Sequence, residues 1–240
     1  MIVPTTSGQA FAAANAAMVR GVDGASTVHV LLADCLELLG AATAGVLVRV
    51  GEQGLEMLAA TSHRAAELEL YQSQIHSGPC VEVMDVGHSV HAVGGPELTG
   101  RWPEFGRAMS DAGLHTVHAE PMRWHERVLG GINLFWTGEK TLTSAEEELA
   151  AAFADICTLA LMQSGVHDDP HAIAEQVRTA LQGRVVIERA KGVLAQVEGV
   201  EMDEAFLLLV QRSRETAQPL ATVAWVVLSD IVARRHVTEG

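Results

Sequence analysis

The chain has 240 residues and a formal net charge of −14, with 48% hydrophobic, 19% charged and only 4% aromatic residues. That balance excludes a disordered chain and calls for cores built from aliphatic side chains. The charge is uneven: residues 171–240 hold eight Lys/Arg and nine Asp/Glu, whereas residues 1–170 hold eight and twenty-one, a net of −13. Two such different halves predict two domains.

The opening, MIVPTTSGQAFAAANAAMVR, has no basic n-region and no compact leucine-rich stretch. No signal peptide is therefore expected, and the cytoplasm is the expected compartment. No apolar run reaches the roughly 18–20 residues that span a bilayer. Residues 26–39 carry apolar side chains at 28, 31, 32, 35, 36 and 39, a helical stripe with Ser26 as candidate N-cap and Gly40 as stop. TAGVLVRV (43–50) and LEMLAAT (55–61) flank Gly-Glu-Gln-Gly as a β-hairpin. A short helix over about 64–73 and a Gly-Pro loop follow, then a strand at 88–93 and a helix at 102–113. Strands at 114–123 and 127–136 meet at a turn around His125-Glu126. Thr143 and Glu146 have capping-box spacing at the start of a helix reaching about Ser164.

SGVHDDP (164–170) interrupts that helix, and Asp169-Pro170 suits the N-cap and first position of the next. Three helices are then predicted: about 171–198 ending at Gly199, about 202–216, and one after Pro219 with Leu220, Val223, Ala224, Val227, Leu228 and Ile231 on one face. The fold class is α+β, an antiparallel sheet with flanking helices followed by an all-α three-helix bundle. The expected layout is an N-terminal extension (1–23), a sensory domain (24–164), a linker (165–170) and a helical domain (171–240).

In the first helix of that bundle Arg184 and Lys191 are seven residues apart, about 20° from eclipsed and roughly 10 Å along the axis. Both can then meet phosphates while Ile187, Ala190, Leu194 and Val197 stay buried. The bland alternative is a solvated face paired with Glu188. Gly192, inside a helix, costs roughly 1 kcal/mol against alanine. It serves either close helix packing, the commoner role, or room for a nucleic-acid backbone.

Three blocks carry a resemblance: Arg184-x-x-Ile187-x-x-Ala190-Lys191-Gly192-x-Leu194; Asp203-Glu204-Ala205-Phe206-x-x-Leu209 with Ser213; and Leu220-x-x-Val223-Ala224. Together they resemble the ANTAR domain, a three-helix RNA-binding module of bacterial regulators. Upstream, Gly78-Pro79-Cys80-x-x-Val83-x-x-x-Gly87, Val90, Gly100-Arg101-Trp102-Pro103-x-Phe105, Ala112-Gly113, Pro121-Met122 and Leu129-Gly130-Gly131-Ile132-Asn133-Leu134 resemble a GAF domain, of the type that precedes ANTAR domains in actinobacterial proteins.

The resemblance implies a regulator, not an enzyme. It would bind tandem hairpins in leader transcripts and prevent a terminator from folding, so that transcription reads through. The GAF domain would sense a small molecule or mediate homodimerisation. The residues it assigns to RNA are Arg184 and Lys191, then Arg189, Arg212, Ser213 and Arg214. Long aliphatic stripes in the helices after Thr143 and Pro170 suggest the dimer interface.

Two departures stand out. Where the family usually has an Asn-basic-basic turn before Leu220, this chain has Ala217-Gln218-Pro219, and Glu201-Met202 replace a Ser or Thr cap. An interaction module without RNA binding is therefore an alternative reading. A thiol-dependent methionine sulfoxide reductase is another, because some GAF domains have that activity. Neither a cofactor nor a metal is expected: the cysteines Cys35, Cys80 and Cys157 are odd in number and far apart. His115 and His118, like His88 and His91, are three apart in predicted strands and so face opposite ways. Trp102, Phe105, Cys80 and His118 are candidate walls of a GAF pocket.

Overall fold

Residues 6–51, 54–162 and 169–238 are described by a computed structural model, with side chains through Asp230. Helices α1 (Ser7–Val19) and α2 (Gly24–Leu39) come first, followed by the hairpin β1 (Thr43–Val50) and β2 (Gly54–Ala60). The middle holds α3 (His63–Ile75), α4 (Pro79–Val86), β3 (Val90–Val93), α5 (Gly95–Arg101) and α6 (Pro103–Asp111). Strands β4 (Thr116–Trp124) and β5 (Arg127–Trp136) lead into α7 (Ser144–Leu161). The last three helices are α8 (Pro170–Glu198), α9 (Met202–Thr216) and α10 (Leu220–Thr238).

The five strands form one antiparallel sheet in the order β2-β1-β5-β4-β3, so β2 and β3 are its edges. Alternation along the strands gives the sheet two buried faces. Ala44, Val46, Val48, Ile132 and Leu134 point into a core shared with α1, α2 and α7. Val90, Val117, Ala119 and Phe135 point to the opposite core, with Leu98, Trp102, Phe105 and Met109. The helical bundle has its own core around Ile187, Ala190, Leu194, Phe206, Leu209 and Leu220.

Several local expectations hold because the signals are short-range. Thr143 and Glu146 make the reciprocal capping box, Asp169 accepts from the amides of His171 and Ala172, and Gly40 and Gly199 end their helices with positive φ. Others change. Asp23, not Ser26, caps α2, accepting from the Ser26 amide at 2.8 Å. The Gly-Pro loop is the start of α4, with Pro79 in its first turn, and α5 lies where no helix is predicted. Residues 7–19, expected only as an extension, form α1. The expected linker at 165–170 lies outside the described residues up to 168.

The stripes assigned to a dimer interface are covered within the chain. Phe153, Ala154 and Cys157 of α7 and Ile173, Val177 and Ala180 of α8 all belong to the core between α2 and the sheet. Helix α2 is the reason. Val28, Leu31 and Leu32 face that core, while Ala25 and Ala33 face the bundle core. A helix buried on two sides is what joins the two domains.

Candidate nucleic-acid interface

The junction between α8 and the edge strand β2 decides where the RNA-directed side chains lie. An edge strand leaves carbonyls without a strand partner. Here the Arg184 guanidinium donates through one Nη to the Met57 carbonyl. One turn pair further along, Lys191 Nζ donates to the Ala60 carbonyl at 3.1 Å. The same ammonium meets both oxygens of Glu188 at 2.9 and 3.0 Å and lies 5.5 Å from the centroid of the Phe206 ring. Lys191 is 1% exposed. The expectation of two outward-facing phosphate contacts is thus corrected for this conformation: tertiary docking covers Lys191 and half-covers Arg184.

His29 of α2 completes the cluster. It is buried, with Nδ1 2.8 Å from the Ala25 carbonyl and Nε2 3.9 Å from Glu188. Burial pushes the Glu188 carboxyl up, but His29 and Lys191 outweigh it and hold it at about 2. A lysine ammonium taken from water requires such a set of partners, since an unpaired buried cation costs several kcal/mol.

The remaining residues assigned to RNA scatter. Arg189 is exposed, on a stripe with Gln182, Val185, Gly192 and Gln196. Arg212 reaches Glu198 at 3.3 Å, and Ser213 Oγ donates to the Gln218 carbonyl at 2.6 Å. Arg214 is bound to the buried Asp34 of α2. Burial raises the Asp34 carboxyl to about 6, against the opposing pull of Arg214. Arg184, Lys191 and Arg214 are therefore gathered by the sheet domain, whereas Arg189 and, beside Glu198, Arg212 face solvent. The side chains of Arg234 and Arg235 lie outside the described residues.

Two glycines of α8 divide the roles proposed for one. A Cβ on Gly183 would lie 3.1 Å from the Ala25 Cβ, so Gly183 lets α8 approach α2. A Cβ on Gly192 would meet nothing within 4 Å. The packing role expected of Gly192 belongs to Gly183, and the surface beside Arg189 and Gly192 is open.

More bonds tie the two parts. The Ala221 amide donates to Ser26 Oγ at 2.9 Å, and the His63 amide donates to Asp203 Oδ1 at 3.2 Å. Sequence reasoning missed Asp34, His29 and the β2 carbonyls. The available signal was that Asp34 and His29 sit off the apolar stripe of a helix whose other long polar side chain is Glu37.

On the far face of the sheet the candidate GAF pocket is filled by the chain itself. Glu69 Oε1 accepts from Asn133 Nδ2 at 2.7 Å and Oε2 from Gln72 Nε2 at 2.8 Å. Gln72 Oε1 accepts from the Cys80 amide at 3.0 Å. Gly131 lets the Cys80 thiol lie against β5, because a Cβ there would be 2.7 Å from Sγ. Burial lifts the Glu69 carboxyl to about 8, against the pull of Asn133 and Gln72. Trp102 and Phe105 belong to the same side, but His118 does not. It faces α7, where Nε2 is 2.7 Å from Glu120 Oε1 and its ring is 5.5 Å from that of His91. Strand pairing sets His91 opposite His118, a meeting that spacing within one strand does not reveal.

All three cysteines are free and buried, and burial pushes each thiol up. A thiol so placed is a poor nucleophile, which gives the reductase reading no support. Among the described residues no group of three or more His, Cys, Asp or Glu is arranged to hold a metal ion, and no helix is long and apolar enough to cross a membrane.

Comparison with known proteins matches this architecture. A family model described as "GAF domain" matches residues 23–161, and one described as "ANTAR domain" matches residues 175–228. A search of curated protein sequences finds no match. Among solved structures, the phycoerythrobilin-bound GAF domain from a cyanobacterial phytochrome aligns with TM-score 0.51 at 11% identity, covering 66% of this chain and 96% of that one. The GAF domain of a phosphoenolpyruvate-protein phosphotransferase from Coxiella burnetii aligns with TM-score 0.51 at 12% identity, covering 66% and 94%. At such identities the likeness is one of fold.

Proposed function

Because the chain belongs to the GAF domain family and carries an ANTAR domain behind it, we propose that it is a signal-responsive RNA-binding regulator of transcription antitermination. In the docked arrangement the GAF domain withholds the side chains that RNA requires. The observation behind this reading is the engagement of Arg184 and Lys191 by the β2 carbonyls and Glu188.

Phosphates compete with those partners for the same donors, so strong binding requires α8 to leave β2. Charge favours the same order of events. RNA approaching the docked form meets residues 1–170, with a net of −13, which repels a polyanion. Once undocked, Arg184 and Lys191 join the exposed Arg189 on one helix. Gly192 leaves room for the RNA backbone beside them. Hairpin loops offer the bent phosphates and splayed bases that such a surface can use. Arg212, Ser213 and Arg214 are the second line of contacts, and a signal at the GAF domain sets the balance. Homodimerisation belongs to the same reading, and light scattering with and without RNA tests it.

Titration of a tandem-hairpin leader RNA at fixed salt tests the function. Arg184→Ala and Arg189→Ala are expected to weaken binding and to reduce the salt slope by about one each. Asp34→Ala frees Arg214 from α2 and is expected to tighten binding. If the arginine substitutions leave affinity and salt slope unchanged, α8 is not the RNA contact; if the parent does not bind the RNA at all, the helical domain is an interaction module without RNA binding. The Ala217-Gln218-Pro219 turn favours that second reading.

A further inference from the structure

Two features outside the family pattern meet at one place. Helix α1 precedes the matched GAF residues 23–161, and the turn at 217–219 replaces the family's basic turn. Between them and α2 lies a cleft of about 570 Å³. The α1 wall is a run of short side chains, Ala10, Ala13, Ala14 and Ala17, facing Val30 and Leu31 of α2. A leucine at position 17, where the alanine is only partly buried, would fill space that the alanines leave. The opposite wall is the turn itself, where Ala217 holds φ +52°. A side chain is disfavoured in that left-handed conformation, and such residues persist where the surroundings require them.

The polar end carries the specificity. Arg20, Asp34, Arg214 and Glu215 all line the cleft. Asp34 is already bound to Arg214, and Glu215 accepts from Gln211 Nε2 at 2.9 Å. Among the described residues no carboxylate lies within ion-pair distance of Arg20. The four charges sum to zero, and Arg20 is the charged side chain of the cleft with no hydrogen-bond or ion-pair partner among the described residues, next to an aliphatic wall.

We propose that this cleft binds a small aliphatic carboxylate, its head on Arg20 and the free N–H groups of Arg214 and its chain along the alanines of α1. Walls from both domains form the site, so an occupant favours the docked arrangement and lowers RNA affinity. This last consequence rests on the function proposed above.

The full chain is tested by thermal unfolding with octanoate, octan-1-ol and octylammonium as probes. Octanoate is expected to raise Tm saturably, by about 5–10 °C at a hundredfold excess over Kd, with the alcohol and the amine giving far smaller shifts. Ala17→Leu fills the cleft and Arg20→Gln removes its charge. Each is expected to abolish the octanoate shift while leaving the unliganded Tm within a few degrees of the parent. No shift with octanoate, equal shifts with all three probes, or a shift retained in Ala17→Leu and Arg20→Gln overturns the site. RNA titration with and without octanoate separates the two readings. A shift in Tm without loss of RNA affinity keeps the site and overturns its regulatory role; RNA binding by the parent with no octanoate shift in Tm overturns the site alone.

Discussion

Replacing Lys191 by methionine keeps the length of the stem and removes the ammonium. The structure sets the cost. The Ala60 carbonyl loses its donor at 3.1 Å, and Glu188 loses contacts at 2.9 and 3.0 Å. A buried acceptor left unpaired costs about 1–3 kcal/mol, and breaking a buried ion pair costs about 3–5 kcal/mol. The second figure needs a reduction, because the Glu188 side chain is 24% exposed and His29 remains nearby. A net destabilisation of about 2–4 kcal/mol is expected, read by chemical denaturation followed by circular dichroism. Glu188→Gln in the same chain removes the stranded charge, so the double variant should recover about 1 kcal/mol or more relative to additivity. A loss below about 0.5 kcal/mol for Lys191→Met, with additive behaviour in the double variant, refutes the buried cluster. It would mean that Lys191 stands in solvent and that α8 is not docked on β2.

Glu69→Gln tests the filled GAF face. With its carboxyl raised from 4.5 to about 8, folding takes up a proton, so the parent loses stability as pH rises from about 4.5 to about 8, by an amount of the order of a few kcal/mol. The variant should lose that slope between pH 5 and 9 and be the more stable above pH 8, as followed by urea denaturation across pH. Gly192→Ala, with open space around the added methyl, should stabilise the helix by about 1 kcal/mol. Weaker RNA binding by that more stable variant would place RNA against Gly192. Ala217→Gly relieves the left-handed conformation at φ +52° and should raise stability by about 0.5–1 kcal/mol in the same assay.

The sequence by itself determined what depends on neighbours along the chain. Helix ends at Thr143, Asp169, Gly40 and Gly199 follow from side chains that bond to amides two or three residues away, or from a residue free to adopt positive φ. Periodicity likewise marks the three last helices, and the spaced blocks mark both domains. Long-range pairing was not legible. Whether Lys191 meets water or the Ala60 carbonyl depends on a contact between residues 131 apart in sequence, which helical spacing does not encode. The same holds for Arg214 with Asp34, 180 apart, and for His91 opposite His118 across two strands. The glycine that permits close packing proved to be Gly183 rather than Gly192, because only the approach of α2 distinguishes them. Composition showed that the helical half was nearly neutral and the sheet half acidic. Tertiary structure decided that the cations of the first are held by the carbonyls and carboxylates of the second, since a buried charge must find its partners wherever the fold presents them.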